Sequence, residues 1–297
     1  MKAAPFRYHA PRTLAEALAL LAGSDNARVL AGGQSLMPML NMRVVAPDDL
    51  IDINGIEGLA YIREESGVAG DEIVIGAMTR QRELEFSPLV AARLPLMAEA
   101  IRYVGHRQTR NRGTIGGSLC QLDPSAELPT VAQAFDAVIV ARSARGERRI
   151  AIADFPAGYM TPALAADEVL VELRFRPWSG LHGWAFIEYA RRHGDFAVVS
   201  AAAMLALGAD GSIARLSLTL GGVGAAPLRL AEIERTLTGK KPSTEAFAAA
   251  CASAGNIDAL EDPHYPKWYR QRLAVALSRR ALVAALQRTT LQPATSP

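Results

Sequence analysis

Cysteine is scarce in this sequence. Among its 297 residues there are two, Cys120 and Cys251, and they form no Cys-x-x-Cys pair. Two distant cysteines provide neither a disulfide framework nor the four thiolates that an iron–sulfur cluster needs. None of the five histidines has zinc-site spacing to another histidine or to a cysteine. We therefore expect no metal site in this chain, and a reducing compartment, the cytoplasm.

Excess charge and long apolar runs are lacking as well. The chain carries 32 basic and 30 acidic residues, a net charge of +2, so it has no strong field to attract nucleic acid or an anionic membrane. Its apolar runs are broken well short of a membrane span, and residues 1–9 contain no apolar signal core. We expect a cytoplasmic protein with no membrane span and no nucleic-acid partner.

Two pairs of adjacent glycines are the most informative local features. They lie in Ala-Gly-Gly-Gln-Ser-Leu at 31–36 and in Thr-Ile-Gly-Gly-Ser at 114–118. Glycine tolerates positive φ and close approach of the backbone to a ligand, and successive N–H groups in such a turn form an anion-binding nest. No Gly-x-Gly-x-x-Gly fingerprint separates a strand from a helix. We expect the two turns to share one pyrophosphate.

The residues around the second turn leave several interpretations open. The arginines at 102, 107, 110 and 112 either add positive potential to the site or form a solvated helix end and loop. Cys120 is interpreted as a small buried apolar side chain. Asp123 and Glu127 follow, between turn-forming residues, as acceptors for ligand hydroxyl groups. Phe196, after a Gly-Asp turn, lies either in the core or against a flat ligand ring.

The hydrophobic pattern predicts an α+β chain with a break near residue 177. A helix begins after Thr13 and ends at Gly23, and the N-terminal part is mixed α/β. After the turn-rich stretch 177–183, three antiparallel strands are predicted, followed by helices beginning at 228. The last residues, 292–297, are predicted to be disordered.

Four motifs in fixed order connect the chain to a known family. They are the stretch 31–36 with Pro38 and Arg43, Arg-Asn-Arg-Gly-Thr-Ile-Gly-Gly-Ser at 110–118, Asp-Pro at 123–124 with Glu-Leu-Pro at 127–129, and Arg-Arg-His-Gly-Asp-Phe at 191–196. With them, the chain resembles the FAD-binding medium subunit of molybdenum hydroxylases, the carbon monoxide dehydrogenase and xanthine dehydrogenase type.

The resemblance implies a fold and a division into domains. The fold is α+β, with a vanillyl-alcohol-oxidase-type (PCMH) FAD-binding domain of two α/β subdomains over 1–177. A domain like the C-terminal part of the carbon monoxide dehydrogenase flavoprotein follows over 178–290, with the three-stranded antiparallel sheet and helices, and 291–297 is a tail.

The resemblance also implies the cofactor, FAD, and the residues that bind it, with no catalytic residue and no metal ligand in this chain. Around the pyrophosphate it implies Val29, Leu30, Ala31, Gly32, Gly33, Gln34, Ser35, Leu36, Thr114, Ile115, Gly116, Gly117 and Ser118. It implies Glu127 at the adenosine portion, Phe196 beside the isoalloxazine, and an apolar lining of Val104, Leu164 and Leu170. Ser118 stands where many relatives have Asn, and Glu188 where several carry Lys near the flavin.

The function implied is that of an oxidoreductase flavoprotein subunit that transfers electrons. In this arrangement a molybdopterin-binding large subunit oxidises the substrate and a small subunit carries 2Fe-2S clusters. The FAD subunit passes the electrons to an external acceptor, in a dimer of heterotrimers. Two alternatives stay open, a free-standing FAD-dependent oxidoreductase of the same flavin fold and a nucleotide-binding or assembly protein that has lost flavin.

Overall fold

The computed structural model describes residues 1–67 and 70–291. The predicted tail therefore lies, from residue 292 on, outside the described residues. The chain forms two compact units, each assembled from separate stretches. The first unit contains Met1–Leu89, His106–Leu122 and Ala137–Arg176, and the second contains Val90–Gly105, Asp123–Asp136 and the chain from Pro177 onward.

The strands belong to four sheets. In chain order they are β1 (Arg7–His9), β2 (Ala27–Leu30), β3 (Asp49–Asp52), β4 (Ile62–Gly67), β5 (Gly70–Gly76), β6 (Val138–Ser143), β7 (Gly146–Ala151), β8 (Pro156–Gly158), β9 (Thr161–Pro162), β10 (Val169–Phe175), β11 (His182–Tyr189), β12 (Val199–Leu207), β13 (Ile213–Gly221) and β14 (Leu228–Arg229).

Eleven α-helices are found in the part of the chain that the structure describes. They are α1 (Leu14–Ala22), α2 (Leu36–Asn41), α3 (Gln81–Phe86), α4 (Pro88–Arg93), α5 (Pro95–Ala100), α6 (Arg107–Arg112), α7 (Ile115–Gln121), α8 (Glu127–Ala134), α9 (Ala231–Leu237), α10 (Thr244–Cys251) and α11 (Lys267–Leu291). No helix within residues 1–67 or 70–291 is long and apolar enough to cross a membrane.

The first unit contains a small parallel sheet and a larger antiparallel one. The parallel sheet has the order β1-β3-β2, and α1 connects its two outer strands. As predicted, Thr13 caps α1, and its hydroxyl and the Glu16 carboxylate form a capping box. The antiparallel sheet has the order β4-β5-β10-β6-β7. The turn at 31–36 therefore leaves the carboxyl end of a parallel strand, the edge at which α/β sheets commonly bind ligands.

The second unit is built on one antiparallel sheet of order β11-β12-β13-β14. The expectation of three strands is wrong by one, since Leu228 and Arg229 pair with Leu220 and Thr219 before α9 begins. The helix predicted from 228 starts three residues later because these residues first complete the sheet. Helix α11 covers β11 and β12, and a Cβ at Gly183 would overlap the carbonyl oxygen of Ala285.

Glu188 is a buried carboxyl group in the second unit. It lies on β11 opposite Ser200 of β12, and no described residue donates a hydrogen bond to its buried Oε2 atom. Burial raises the pKa of Glu188 to about 7, because desolvation disfavours the charged form. The carboxyl is therefore held at an energetic cost to the fold whenever it is ionised.

Glu188→Gln should stabilise the chain at alkaline pH and have little effect in acid. The unfolded chain ionises this group near its ordinary value of 4.5 and the folded chain near 7, so the parent loses stability as pH rises through that window. Urea unfolding midpoints at about pH 4.5 and about pH 8 test this. The exposed Glu232→Gln is the control, and an equal midpoint for Glu188→Gln and the parent at alkaline pH would contradict the prediction.

Candidate cofactor-binding site

The turn between β2 and α2 presents a row of unpaired backbone donors. Among the residues that the structure describes, none accepts a hydrogen bond from the N–H groups of residues 32–36. Gly33 has φ +73° and Ser35 is right-handed, with φ −98° and ψ −48°. Alternation of left- and right-handed residues turns successive N–H groups toward one side and produces an anion-binding concavity. The geometry of this turn is compatible with the predicted nest, and its binding of a pyrophosphate stays a prediction.

The second glycine pair has a different role from the one predicted. Thr114 caps α7, and its Oγ1 accepts from the N–H of Gly117 at 3.0 Å. The N–H groups of Ile115 and Gly116 donate to backbone carbonyls within 77–79, at 3.1 and 2.9 Å. Because these donors are used inside the protein, the pair does not form a second open nest. A Cβ at Gly116 would lie 2.8 Å from a backbone oxygen, so its glycine serves close packing.

The two turns are nevertheless neighbours. A Cβ at Gly32 would overlap the carbonyl oxygen of Arg112 and would lie 2.8 Å from the Cα of Gly113. A Cβ at Gly117 would lie 3.7 Å from the Cβ of Ala31. The absence of side chains therefore lets the backbone before α7 contact the backbone after β2. Ser118, on α7, is half-buried.

Two residues that the sequence analysis missed connect these turns. The Asn54 Nδ2 group donates to the carbonyl of Ala31 at 2.8 Å, and Arg80 Nη2 donates to Asn54 Oδ1 at 2.6 Å. Arg80 Nη1 donates to the carbonyl of Arg112. Neither residue belongs to a recognisable motif. Asn54 comes two residues after β3, the strand that pairs in parallel with β2, so it lies at the same sheet edge as Ala31.

The apolar positions of the first unit are placed in and beside its sheets. Val29 and Leu30 are half-buried at the end of β2, and a Cβ at Gly33 would lie 3.3 Å from Leu30 Cδ1. Leu164 is half-buried after β9, and Leu170 on β10 is only 3% exposed. Leu30 thus supports the nest directly, whereas Leu170 is part of the core.

The other predicted residues belong to the second unit. Val104 is buried after α5, and Glu127 is the first residue of α8, with 4% of its surface exposed. Phe196 is 62% exposed and lies between β11 and β12, after Gly194 with φ +87°. The interpretation of Phe196 as a core residue is therefore wrong.

Arg110, one member of the arginine cluster, and Cys120 have local roles. Arg110 is buried and paired with Glu85, with Nε and Oε2 2.9 Å apart. Its charge is therefore neutralised inside the first unit. Desolvation raises the pKa of the Cys120 thiol to about 12, so the group is protonated and unreactive at neutral pH. Cys120 therefore offers no activated nucleophile, whereas Arg102, Arg107 and Arg112 are exposed to solvent.

The donor set fits a cofactor that carries a diphosphate. Five consecutive unpaired N–H groups match anionic oxygens, and the side chain of Ser35 adds an exposed hydroxyl beside them. The glycines keep that surface free of side chains where the two turns meet. These residues can bind and orient a dinucleotide, and they include no nucleophile activated for covalent catalysis.

Comparison with known proteins agrees with this chemistry. Residues 4–178 match the family model described as the FAD binding domain in molybdopterin dehydrogenase. Residues 184–285 match the CO dehydrogenase flavoprotein C-terminal domain. The two models together cover nearly the whole chain.

Similar proteins match over their full length. The chain is 38% identical to the 6-hydroxypseudooxynicotine dehydrogenase complex subunit alpha of Paenarthrobacter nicotinovorans, over 97% of each chain. It is 38% identical to the carbon monoxide dehydrogenase medium chain of Hydrogenophaga pseudoflava, over 95% of this chain and 98% of that one. A solved structure of carbon monoxide dehydrogenase from the same organism superposes with a TM-score of 0.92, at 38% identity, over 97% of this chain and 99% of that one. The chain therefore belongs to the family of FAD-binding flavoprotein subunits of molybdenum-containing dehydrogenases, which are oxidoreductases.

Proposed function

We propose that this chain is the electron-transfer subunit of a molybdenum hydroxylase, passing electrons from iron–sulfur clusters through FAD to an external acceptor. The observation that carries the proposal is the open nest at 32–36 in a chain that matches the family over nearly its whole length. FAD, when bound, supplies the redox chemistry by accepting and releasing electrons. The residues of this chain bind it, orient it and limit its exposure to water.

Within this proposal the nest residues bind the diphosphate through their N–H groups. Thr114 and Ser118 add hydroxyl groups at the neighbouring turn, and Ile115, Gly116 and Gly117 keep that turn close. Glu127 at the adenosine portion and Phe196 beside the flavin ring are supported by their positions in the family motifs. For Phe196, the exposed ring is consistent with a contact to a flat ligand.

The domain organisation follows the two matched family models. We assign 1–177 to a PCMH-type FAD-binding domain of vanillyl-alcohol-oxidase type and 178–290 to the flavoprotein C-terminal domain. The parallel and antiparallel sheets of the first unit support two subdomains in the FAD-binding part. The stretches Val90–Gly105 and Asp123–Asp136, although inside the first range, pack with the second unit.

The need for partners follows from the residues that the chain has. An electron-transfer subunit must receive electrons from another centre, and the two cysteines here are too few to ligate a cluster. We therefore propose a 2Fe-2S small subunit and a molybdopterin-binding large subunit, assembled as a dimer of heterotrimers in the cytoplasm. Relatives named as a complex subunit and as a medium chain support an assembly of several chains.

The rival function is a free-standing FAD-dependent oxidoreductase on the same flavin fold. The match of 184–285 to the CO dehydrogenase flavoprotein domain favours the subunit, since a self-sufficient oxidase has no need of that part. The match of 4–178 to an FAD binding domain disfavours a nucleotide-binding or assembly protein without flavin.

The purified chain or its complex should be yellow, with one FAD per chain that acid precipitation releases into the supernatant. A nest of N–H groups binds without a covalent bond, and neither cysteine is activated as a thiolate, since desolvation raises the pKa values of Cys120 and Cys251 to about 12 and about 11. The flavin in pellet and supernatant is measured by absorbance. Colour retained in the pellet, or no flavin after reconstitution, would contradict this.

Gly117→Val should lower FAD affinity at least tenfold while leaving the second unit folded. Its Cβ would lie 2.8 Å from Thr114 Oγ1, so the cap of α7 opens, and the larger side chain is directed toward Ala31. Bound FAD is measured after ultrafiltration and folding by circular dichroism. Cys120→Ala, three residues along the same helix, is the control and should retain FAD. Normal FAD content in the valine variant would show that the second turn is not part of the FAD-binding site.

Co-expression with its cotranscribed genes should yield a complex that contains an iron–sulfur and a molybdenum subunit. Size-exclusion chromatography and metal analysis give the composition. In the complex, substrate should reduce the flavin under anaerobic conditions, because electrons reach it through the clusters. The isolated chain should not turn over substrate. Turnover by the isolated chain at the rate of the full complex would replace the subunit proposal with the free-standing enzyme.

A further inference from the structure

We propose that Arg80 is a positioning residue for the diphosphate of the cofactor, holding the two glycine turns in the relative placement that binding requires. The inference rests on the proposed FAD function. It concerns a residue outside the four family motifs, and every contact that carries it lies within the first unit.

The guanidinium group of Arg80 reaches both turns at once. Its Nη2 donates to Asn54, which contacts the first turn, and its Nη1 donates to the carbonyl of Arg112, which precedes the second. A planar guanidinium has donors that diverge in a fixed fork, so it can connect two acceptors at a set distance. Arg80 therefore acts as a bridge of defined length between the turns.

The contact from Arg80 Nη2 to Asn54 influences the direction of one N–H group of the nest. Because Arg80 contacts Asn54 Oδ1, the Nδ2 end of the amide must face the carbonyl of Ala31, at 2.8 Å. The described chain has no cis peptide bond, and in a trans peptide the C=O and the following N–H point in opposite directions. The N–H of Gly32 is thus turned away from Asn54. Asp52 Oδ1 also accepts from Nδ2, at 2.5 Å, so Arg80 and Asp52 hold the amide together. Without Arg80, the Asp52 contact remains, and the side-chain oxygen of Asn54 loses its donor.

The contact from Arg80 Nη1 to the Arg112 carbonyl lies where the two turns touch. The carbonyl oxygen of Arg112 is the atom that a Cβ on Gly32 would overlap. This oxygen carries partial negative charge beside a nest built for anions. A donor from Arg80 offsets that charge and fixes the peptide that the first turn packs against.

Among the described residues Arg80 has no carboxylate in salt-bridge contact, although the charges of Glu83 and Asp52 act to raise its pKa. Within residues 1–67 and 70–291, no carboxylate forms an ion pair with its guanidinium, whose donors go to neutral oxygens. Burial and the nearby charge of Arg112 lower the pKa of Arg80, although an arginine stays charged at neutral pH. The contacts of Arg80 to Asn54 and Arg112, rather than a free positive charge, therefore carry the proposal.

The test compares Arg80→Met with Arg82→Met in the full chain. Arg82 lies two residues away and stacks over Phe86, so its variant removes the same charge without touching the turns. The dissociation constant for FAD is measured by ultrafiltration, and the urea midpoint is measured on the flavin-free chain. We expect Arg80→Met to raise the constant at least tenfold, Arg82→Met to change it less than twofold, and both midpoints to stay near the parent value.

Two further variants separate positioning from simple structural support. The dissociation constant of Arg80→Lys for FAD should lie between those of the parent and of Arg80→Met, because one ammonium group cannot span both acceptors. The double variant Asn54→Ala with Arg80→Met should raise the dissociation constant for FAD by less than the product of the two single-variant factors. The reason is that both residues act through one bridge. If Arg80→Met does not fold, the FAD dissociation constant and the flavin-free urea midpoint of Arg80→Lys test the proposal in its place.

The outcomes distinguish this inference from the function on which it rests. FAD binding by Arg80→Met within twofold of the parent would overturn the inference, as would a loss of affinity accompanied by an equal loss of flavin-free stability. A parent chain that binds no FAD would instead overturn the proposed function.

Discussion

The close contact between Gly32 and the backbone at Arg112 and Gly113 is the constraint on which the rest of the site depends. A carbonyl oxygen occupies the space that a side chain on Gly32 would fill. Two chain segments that are distant in sequence can therefore share one surface. The parallel sheet brings the first segment to this edge, and the turn before α7 brings the second.

The two glycine turns have different roles. The first leaves its N–H groups unpaired, because the chain leaves β2 through a left-handed glycine and no carbonyl of the described residues is within reach of them. In the second turn the N–H groups donate hydrogen bonds to the capping residue of a helix and to backbone carbonyls, and these bonds fix its conformation. One turn is thus a ligand surface and the other is its support, although their sequences look alike. Family membership and FAD as cofactor agree with this arrangement.

Buried charge is handled differently in the two units. In the first unit, Arg80 and Arg110 place their donors on fixed acceptors, so their orientation is set. In the second, Glu188 has a buried oxygen without a hydrogen bond from any described residue, and its pKa rises accordingly.

The sequence by itself determined the local elements and the family. Thr13 specified the start of α1 and Gly23 specified its end, because helix caps depend on a few adjacent residues. Only the tertiary structure decided which N–H groups stay unpaired, that Phe196 is exposed, that Leu228 joins a fourth strand, and that Arg80 bridges the turns. Each of these depends on partners far away in sequence, and a single sequence carries no record of those distances.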